Sequence, residues 1–208
     1  VSMPSGHKPS QQALAEVFSG GAEIGALIRA PDGRPPRILV GEGDSEMRDR
    51  LRRVLASAGC GVETAEDGES AFAAAARDPP DLVVADAALP RGDGLQLLRR
   101  LRGDPATRWV PVILFAAEAG EAAKSAALDA GAEDYLVRPI GARELLSRVG
   151  LHLAMARVGR EASAAVRASE RRLSEVLEAI GEAVFAIDRD ERFLFANRKA
   201  LELWGKRE

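Results

Sequence analysis

Five short apolar runs, each followed by a stretch with helical spacing, constrain this chain more than any other feature of its sequence. Arg37-Ile38-Leu39-Val40-Gly41 suits a buried strand, and Met47, Leu51, Val54 and Leu55 behind it fall on one face of a helix. The alternation then repeats. Strand-like runs lie at Gly61–Thr64, Asp81–Ala85, Val110–Phe115 and Asp134–Val137, with helix-like stretches at Gly68–Arg77, Gly94–Arg102, Gly120–Asp129 and from Ala142 onward. Strands and helices that alternate over short connections predict an α/β fold, a doubly wound parallel sheet with helices on both faces. The runs LVVA (82–85) and PVILF (111–115) are apolar throughout, as central strands covered on both sides should be. Ligands of such sheets sit beyond the carboxyl ends of the strands, at the topological switch point. Attention therefore falls on Glu42 to Asp44, Asp86 to Ala88, Ala116, Ala117 and Arg138.

Composition narrows the function classes. Hydrophobic residues make up 46% of the 208, enough for a folded core, and aromatics at 4% leave that core to Ala, Leu, Val and Ile. The 29 basic residues nearly balance 32 acidic ones, and a formal charge of -3 argues against a nucleic-acid binder. Cys60 is alone, which rules out an internal disulfide or a cysteine metal cluster, and two histidines give no basis for a zinc site. No apolar run approaches a membrane span of about 18 residues and no signal-peptide core opens the chain, so a cytoplasmic location is expected. Gly41-Glu42-Gly43-Asp44 lacks the Gly-Lys-Ser/Thr ending of a phosphate-cradling loop, and no autonomous catalytic motif is present.

The chain divides by texture. Residues 1–36 read as a flexible lead, with a short helix at Gln11–Phe18, a weak apolar patch at Ile24–Ile28 and the linker APDGRPP. Residues 37–157 hold the α/β domain. Beyond it, Ala162, Val166, Ser169, Leu173, Val176 and Ile180 are spaced alternately by four and three, with Arg167, Glu170, Arg171 and Glu178 on the flanks. That seam predicts a parallel coiled-coil linker helix over 158–180 and a homodimer; the competing reading is a solvated helix lying on its own domain. Residues 181–208 alternate as a hairpin, Ala183–Asp188 and Arg192–Asn197, with a helix start at Arg198–Trp204. So small a piece cannot bury a core, and order is expected there only if a partner chain covers Phe185, Phe193 and Phe195. His152 reads as a surface or seam residue, and Trp109 as packed at a rim.

Glu42 and Asp86 follow the first and third strands, placing two carboxylates at one sheet edge. Such a pair suits Mg²⁺, and a carboxylate beside that cation can accept a phosphoryl group. The surrounding pattern is more specific. With Ile38-Leu39-Val40 leading into Glu42, then Pro80 to Asp86, Leu89-Pro90, Asp93-Gly94, Pro111 to Leu114 and Gly131 to Pro139, residues 37 to about 155 resemble the receiver domain of two-component signalling. The resemblance implies a flavodoxin-like sheet of order 2-1-3-4-5, with Asp86 as phosphoacceptor. Glu42, Asp86 and the Ala88 carbonyl would be Mg²⁺ ligands, Tyr135 the switch aromatic, and a histidine kinase or phosphotransfer protein the partner.

Three positions depart from that family. Gly43 stands where a second acid is usual, with Asp44 one place further on as a candidate stand-in. Ala116 replaces a Ser or Thr, and Arg138 replaces a Lys. Less negative charge implies weaker Mg²⁺ binding, and Ala116 cannot hydrogen-bond a phosphoryl oxygen. Arg138 is a planar fork able either to pair with Asp86 and occupy the pocket or to hold a phosphate bidentately. Two readings follow: phosphoryl acceptance at Asp86, or a phosphorylation-independent pseudo-receiver acting as a dimerisation and docking module.

The tail is similar to the entry of a PAS domain, through Ser169 to Leu173, Leu177 to Val184, Phe193 to Asn197 and Ala200 to Gly205. This implies the front piece of a longer sensor, as in sensor histidine kinases, with PAS and kinase output downstream. A fainter likeness, Phe18 to Arg29, is to the lead-in of some sensor kinases.

Overall fold

The computed structural model describes residue 25, residues 28–29 and residues 32–205 apart from 119 and 191. The helix read at Gln11–Phe18, and most of the Phe18–Arg29 likeness, lie outside the described residues. The chain divides into two compact units between Arg157 and Val158.

The first unit alternates strand and helix: β1 (Arg37–Gly41), α1 (Ser45–Ser57), β2 (Gly61–Ala65), α2 (Gly68–Arg77), β3 (Leu82–Asp86), α3 (Gly94–Gly103), β4 (Val112–Ala116), α4 (Glu121–Asp129) and β5 (Asp134–Val137), then the start of α5 (Ala142–Ala179). The strands form one parallel sheet in the order β2-β1-β3-β4-β5, the doubly wound arrangement expected from the alternation. Side chains of period two feed two cores. Leu39, Val83, Ala85, Val112 and Leu114 point to one face, where α2, α3 and α4 supply Ala71, Leu97, Leu101 and Ala127. Ile38, Val40, Leu82, Val84, Ile113 and Phe115 point to the other, against Leu51, Leu55, Leu145, Val149 and Leu153.

Three helix starts in this unit are set by short acidic side chains. Asp44, Asp67 and Asp93 each accept a hydrogen bond from the amide three residues on (Met47, Ser70 and Gln96, all at 2.7 Å). Each such cap contributes about 1 kcal/mol. Within the lead, Ile28 is fully buried in the second core, and Arg157 donates to the Ile28 and Arg29 carbonyls at 3.2 and 3.0 Å.

Two expectations are corrected. His152 is buried, with Nε2 3.4 Å from Asp134 Oδ2, because it follows Leu145 and Val149 on the inward stripe of α5. Trp109 is 70% exposed rather than packed, and the Arg108 guanidinium covers its ring at 4.6 Å.

Cys60 is buried at the α1–β2 turn, and burial pushes its thiol up to about 11. Native protein at pH 8 therefore carries about 100-fold less thiolate than the unfolded chain. Alkylation of native protein is expected to be slower than in denaturant by at least that factor. Equal rates would contradict the packing.

In the second unit, β6 (Phe185–Ile187) pairs antiparallel with β7 (Phe193–Ala196), followed by α6 (Arg198–Leu203). Phe185, Phe193 and Trp204 gather with ring centroids 5.0–6.0 Å apart. Asn197 is fully buried and joins the pieces. Its Nδ2 donates to the carbonyls of Leu177 on α5 (3.1 Å) and Glu182 (2.9 Å), while its Oδ1 accepts from Val184 and Ala200 (both 3.0 Å). The Arg198 amide also donates to the Glu178 carboxylate at 3.0 Å. All six seam positions are exposed, and Ile180 lies one residue past the end of α5.

Candidate functional site

Strand ends bring the three central side chains together. Glu42 follows β1 and Asp86 ends β3, and the pairing of Gly41 with Ala85 sets them side by side at one sheet edge. Arg138 follows β5. Its amide donates to the Ala116 carbonyl at 2.8 Å, which extends the β4–β5 ladder by one bond and turns Arg138 toward the acids. The Arg138–Pro139 peptide is cis.

The guanidinium sits between the two carboxylates. Arg138 Nη2 donates to Asp86 Oδ2 and, at 3.1 Å, to Glu42 Oε2, and Cζ lies 4.7 Å from the Phe115 ring centroid. Glu42 is 1% exposed, Asp86 9%, and the Arg138 side chain 22%. The remaining acceptors are also engaged: Glu42 Oε1 accepts from the Asp44 amide (2.9 Å) and Asp86 Oδ1 from the Ala88 amide (3.0 Å). Two buried negative charges thus share one cation. Burial, with the nearby Asp86 charge adding to it, raises the Glu42 pKa above its usual value, against the opposing pull of the Asp44 amide and Arg138.

The other expected positions lie around this centre. Asp44 is exposed and its Oδ1 caps α1, so turning into the pocket would cost about 1 kcal/mol of capping. Gly43 abuts the loop after β3: a Cβ there would lie 3.0 Å from Pro90 Cδ. Ala88 is exposed in that loop. Ala116 is half-buried at the end of β4, and Tyr135 is buried in the first core with Leu114, Ala127 and Ala132.

A hard divalent cation wants several oxygens converging on one point. Here the gap between Glu42 and Asp86 holds a guanidinium, Asp44 is committed to its helix, and Gly43 has no donor. Among the described residues, no group of three or more His, Cys, Asp or Glu side chains could hold a metal ion. So arranged, these residues do not fit Mg²⁺.

Sequence reasoning missed two supports. Arg48 clamps the turn after β1, donating to the Glu42 and Gly43 carbonyls at 2.6 and 3.2 Å. Arg91, at φ +45°, pairs with buried Asp67, and the Gly68 amide donates to the Pro90 carbonyl at 2.9 Å. Together these pin the loop that carries Ala88 to Pro90. Asp67 before Gly68 was a legible capping signal; its ion pair 24 residues away was not.

Gly94 holds the loop from the other side, since a Cβ there would lie 2.5 Å from the Asp86 carbonyl oxygen. Gly94→Ala is expected to destabilise the domain by about 2 kcal/mol, because backbone rather than a side-chain tip must move. Urea unfolding checks this; a loss under about 0.5 kcal/mol would show that the contact yields freely.

Comparison with known proteins agrees with this fold. Residues 38–150 match the response regulator receiver domain model, and residues 171–208 match a PAS domain model. The chain is 44% identical over 117 residues to the response regulator MprA of Mycolicibacterium vanbaalenii, covering 55% of this chain and 49% of that protein. It thus spans about half the length of that relative. With MprA of Mycobacterium tuberculosis it shares 35% over 184 residues, 81% of this chain and 79% of that one. A putative response regulator structure from Chloroflexus aurantiacus superposes with TM-score 0.56 and 36% identity, covering 58% of this chain and 99% of that one. The signal receiver domain of a signal transduction histidine kinase from Syntrophus aciditrophicus gives TM-score 0.54 and 29% identity, covering 57% and 90%. With its receiver match covering just over half its length, this chain belongs to the response regulator receiver domain family of two-component signalling.

Proposed function

We propose that residues 37–157 act as a pseudo-receiver, a signalling input that regulates a PAS-containing output through a dimeric linker helix at 158–180. Residues 181–208 are the start of that PAS domain, and the parent protein is a sensor histidine kinase. The observation that supports this most directly is the Arg138 guanidinium lodged between Glu42 and Asp86. It supplies the positive charge that a divalent cation otherwise brings, and it ties up the oxygen of Asp86 that phosphoryl transfer needs. Ala116 removes the hydroxyl that would grip a phosphoryl group. The domain therefore signals by docking and by the packing of its helix rather than by a covalent mark on Asp86.

The exposed seam supports the dimer. Val166, Leu173 and Val176 are each more than half exposed on one stripe of α5, and an apolar stripe of that kind is ordinarily covered. A second copy is the natural cover, since a self-complementary stripe meets itself across a twofold axis. Sedimentation velocity tests the reading. The expected result is a dimer that persists in Asp86→Ala and in the presence of a phosphodonor, and that becomes monomeric in the double variant Val166→Asp, Leu173→Asp. A monomeric wild type, or a dimer indifferent to the seam, would overturn it.

A further inference from the structure

We propose that the groove between α1 and the start of α5 binds an amphipathic monoanion, an apolar chain or ring carrying one carboxylate, and that its head competes with Asp86 and Glu42 for Arg138. The inference rests on the reading above and deepens it, because the same arginine serves both sites.

The groove encloses about 270 Å³, just below the usual range of small-molecule pockets. Its walls are apolar: Met47, Leu51 and Val54 from α1, Phe115 from β4, and Ile140 and Leu145 from the β5–α5 connection and α5. The two charged side chains lining it are both cations, Arg50 and Arg138, and no acid lines it. The Arg50 side chain is exposed and has no ion pair or hydrogen bond among the described residues. Arg138 sends Nη2 to the acids, but its Nε is buried without a hydrogen-bond partner. An unsatisfied buried donor costs about 1–3 kcal/mol, so an acceptor that draws this side chain toward the groove relieves a standing cost.

Charge and shape therefore select the ligand. An apolar tail gains from burial along Leu51, Val54 and Leu145, and an anionic head answers Arg50 while competing with Glu42 and Asp86 for Arg138. A neutral apolar molecule leaves the Nε donor unsatisfied, and a small inorganic anion leaves the walls wet. Because Arg138 is shared, an anion that engages it here loosens its hold on Asp86, and the coupling runs equally in the other direction.

Octanoate is the probe, with octanol and inorganic phosphate as controls, on the full chain by titration calorimetry. Octanoate is expected to bind saturably and at least about tenfold more tightly than octanol or phosphate. Arg50→Gln, an exposed and fold-neutral change, should weaken octanoate by about fivefold. The Arg138 Nε–H resonance should shift on octanoate and not on octanol. Absence of saturable binding, equal affinity for octanol, indifference to Arg50→Gln, or a fixed Arg138 resonance would each overturn the proposal. So would binding that weakens as protein concentration rises, which marks a groove filled by a second copy. Failure of the pseudo-receiver reading is seen separately, as an Mg²⁺-dependent phosphoryl adduct on Asp86.

Discussion

Arg138→Gln is expected to be among the most damaging single substitutions in the receiver domain. It keeps an amide donor on a shorter side chain but leaves Glu42 and Asp86 facing each other, both buried and without a cation. Breaking a buried pair from one side costs about 3–5 kcal/mol; because Arg138 keeps some exposure, about 3 kcal/mol at pH 7.5 is the expectation. For a domain of this size that lowers Tm by about 10 °C.

The pH dependence has a definite sign. The pKa of Glu42 in the folded protein is raised above its unfolded value of 4.5, chiefly by burial. Such a group contributes stability that is fully present below 4.5 and is lost as pH rises through the folded pKa. Removing Arg138 takes away one of the influences holding that pKa down, so the variant's deficit should be largest near neutrality and narrow as pH falls toward 4.5. Asp67 runs the other way. Its pKa is lowered from 3.8, first by the Ser70 amide, so its contribution is present above 3.8 and lost as pH falls through the folded value. Urea unfolding between pH 7.5 and pH 4.5 isolates the Glu42 effect. A deficit below about 1 kcal/mol, or one that grows on acidification, would contradict the assignment of Arg138 as the pocket's cation.

Asn197→Ala should produce a different failure, confined to the second unit. The substitution removes four side-chain hydrogen bonds, to Leu177, Glu182, Val184 and Ala200, at a fully buried position. At about 1 kcal/mol net each, and more where a buried amide is orphaned, the loss is about 4 kcal/mol. A two-stranded hairpin with one short helix has little else to hold it. Amides of β6 and β7 are therefore expected to exchange at nearly unfolded rates in the variant, while β1 to β5 keep their protection. Hydrogen exchange reads both at once, and unchanged protection at Val184 and Ala200 would contradict the role given to Asn197.

How far the sequence carried differs between fold and site. The five strands were legible because continuous runs such as Leu82–Ala85 have one stable use, burial in a parallel sheet covered on both faces. Glu42 and Asp86 were legible because strand ends in such a sheet share an edge. That Arg138 can pair with Asp86 was visible from charge and reach. That it spans both acids depends on the Ala116 carbonyl fixing its backbone, which only the β4–β5 register supplies. His152 lay on the inward 145–149–152 stripe and could have been read as buried, but its partner Asp134 sits on a neighbouring strand. Asn197 read as a strand end and no more, because its four partners come from α5, the turn after it, β6's lead-in and α6. Pattern gives faces and periods; it does not give which side chain reaches across them.

On the reading proposed above, Arg138 takes the place of the cation and Asp86 does not accept a phosphoryl group. Intact mass after incubation with Mg²⁺ and a small acyl phosphate, on wild type beside Asp86→Ala, tests it most directly. Both proteins are expected to keep their unmodified mass. A phosphoryl adduct on wild type that is missing from Asp86→Ala would contradict it.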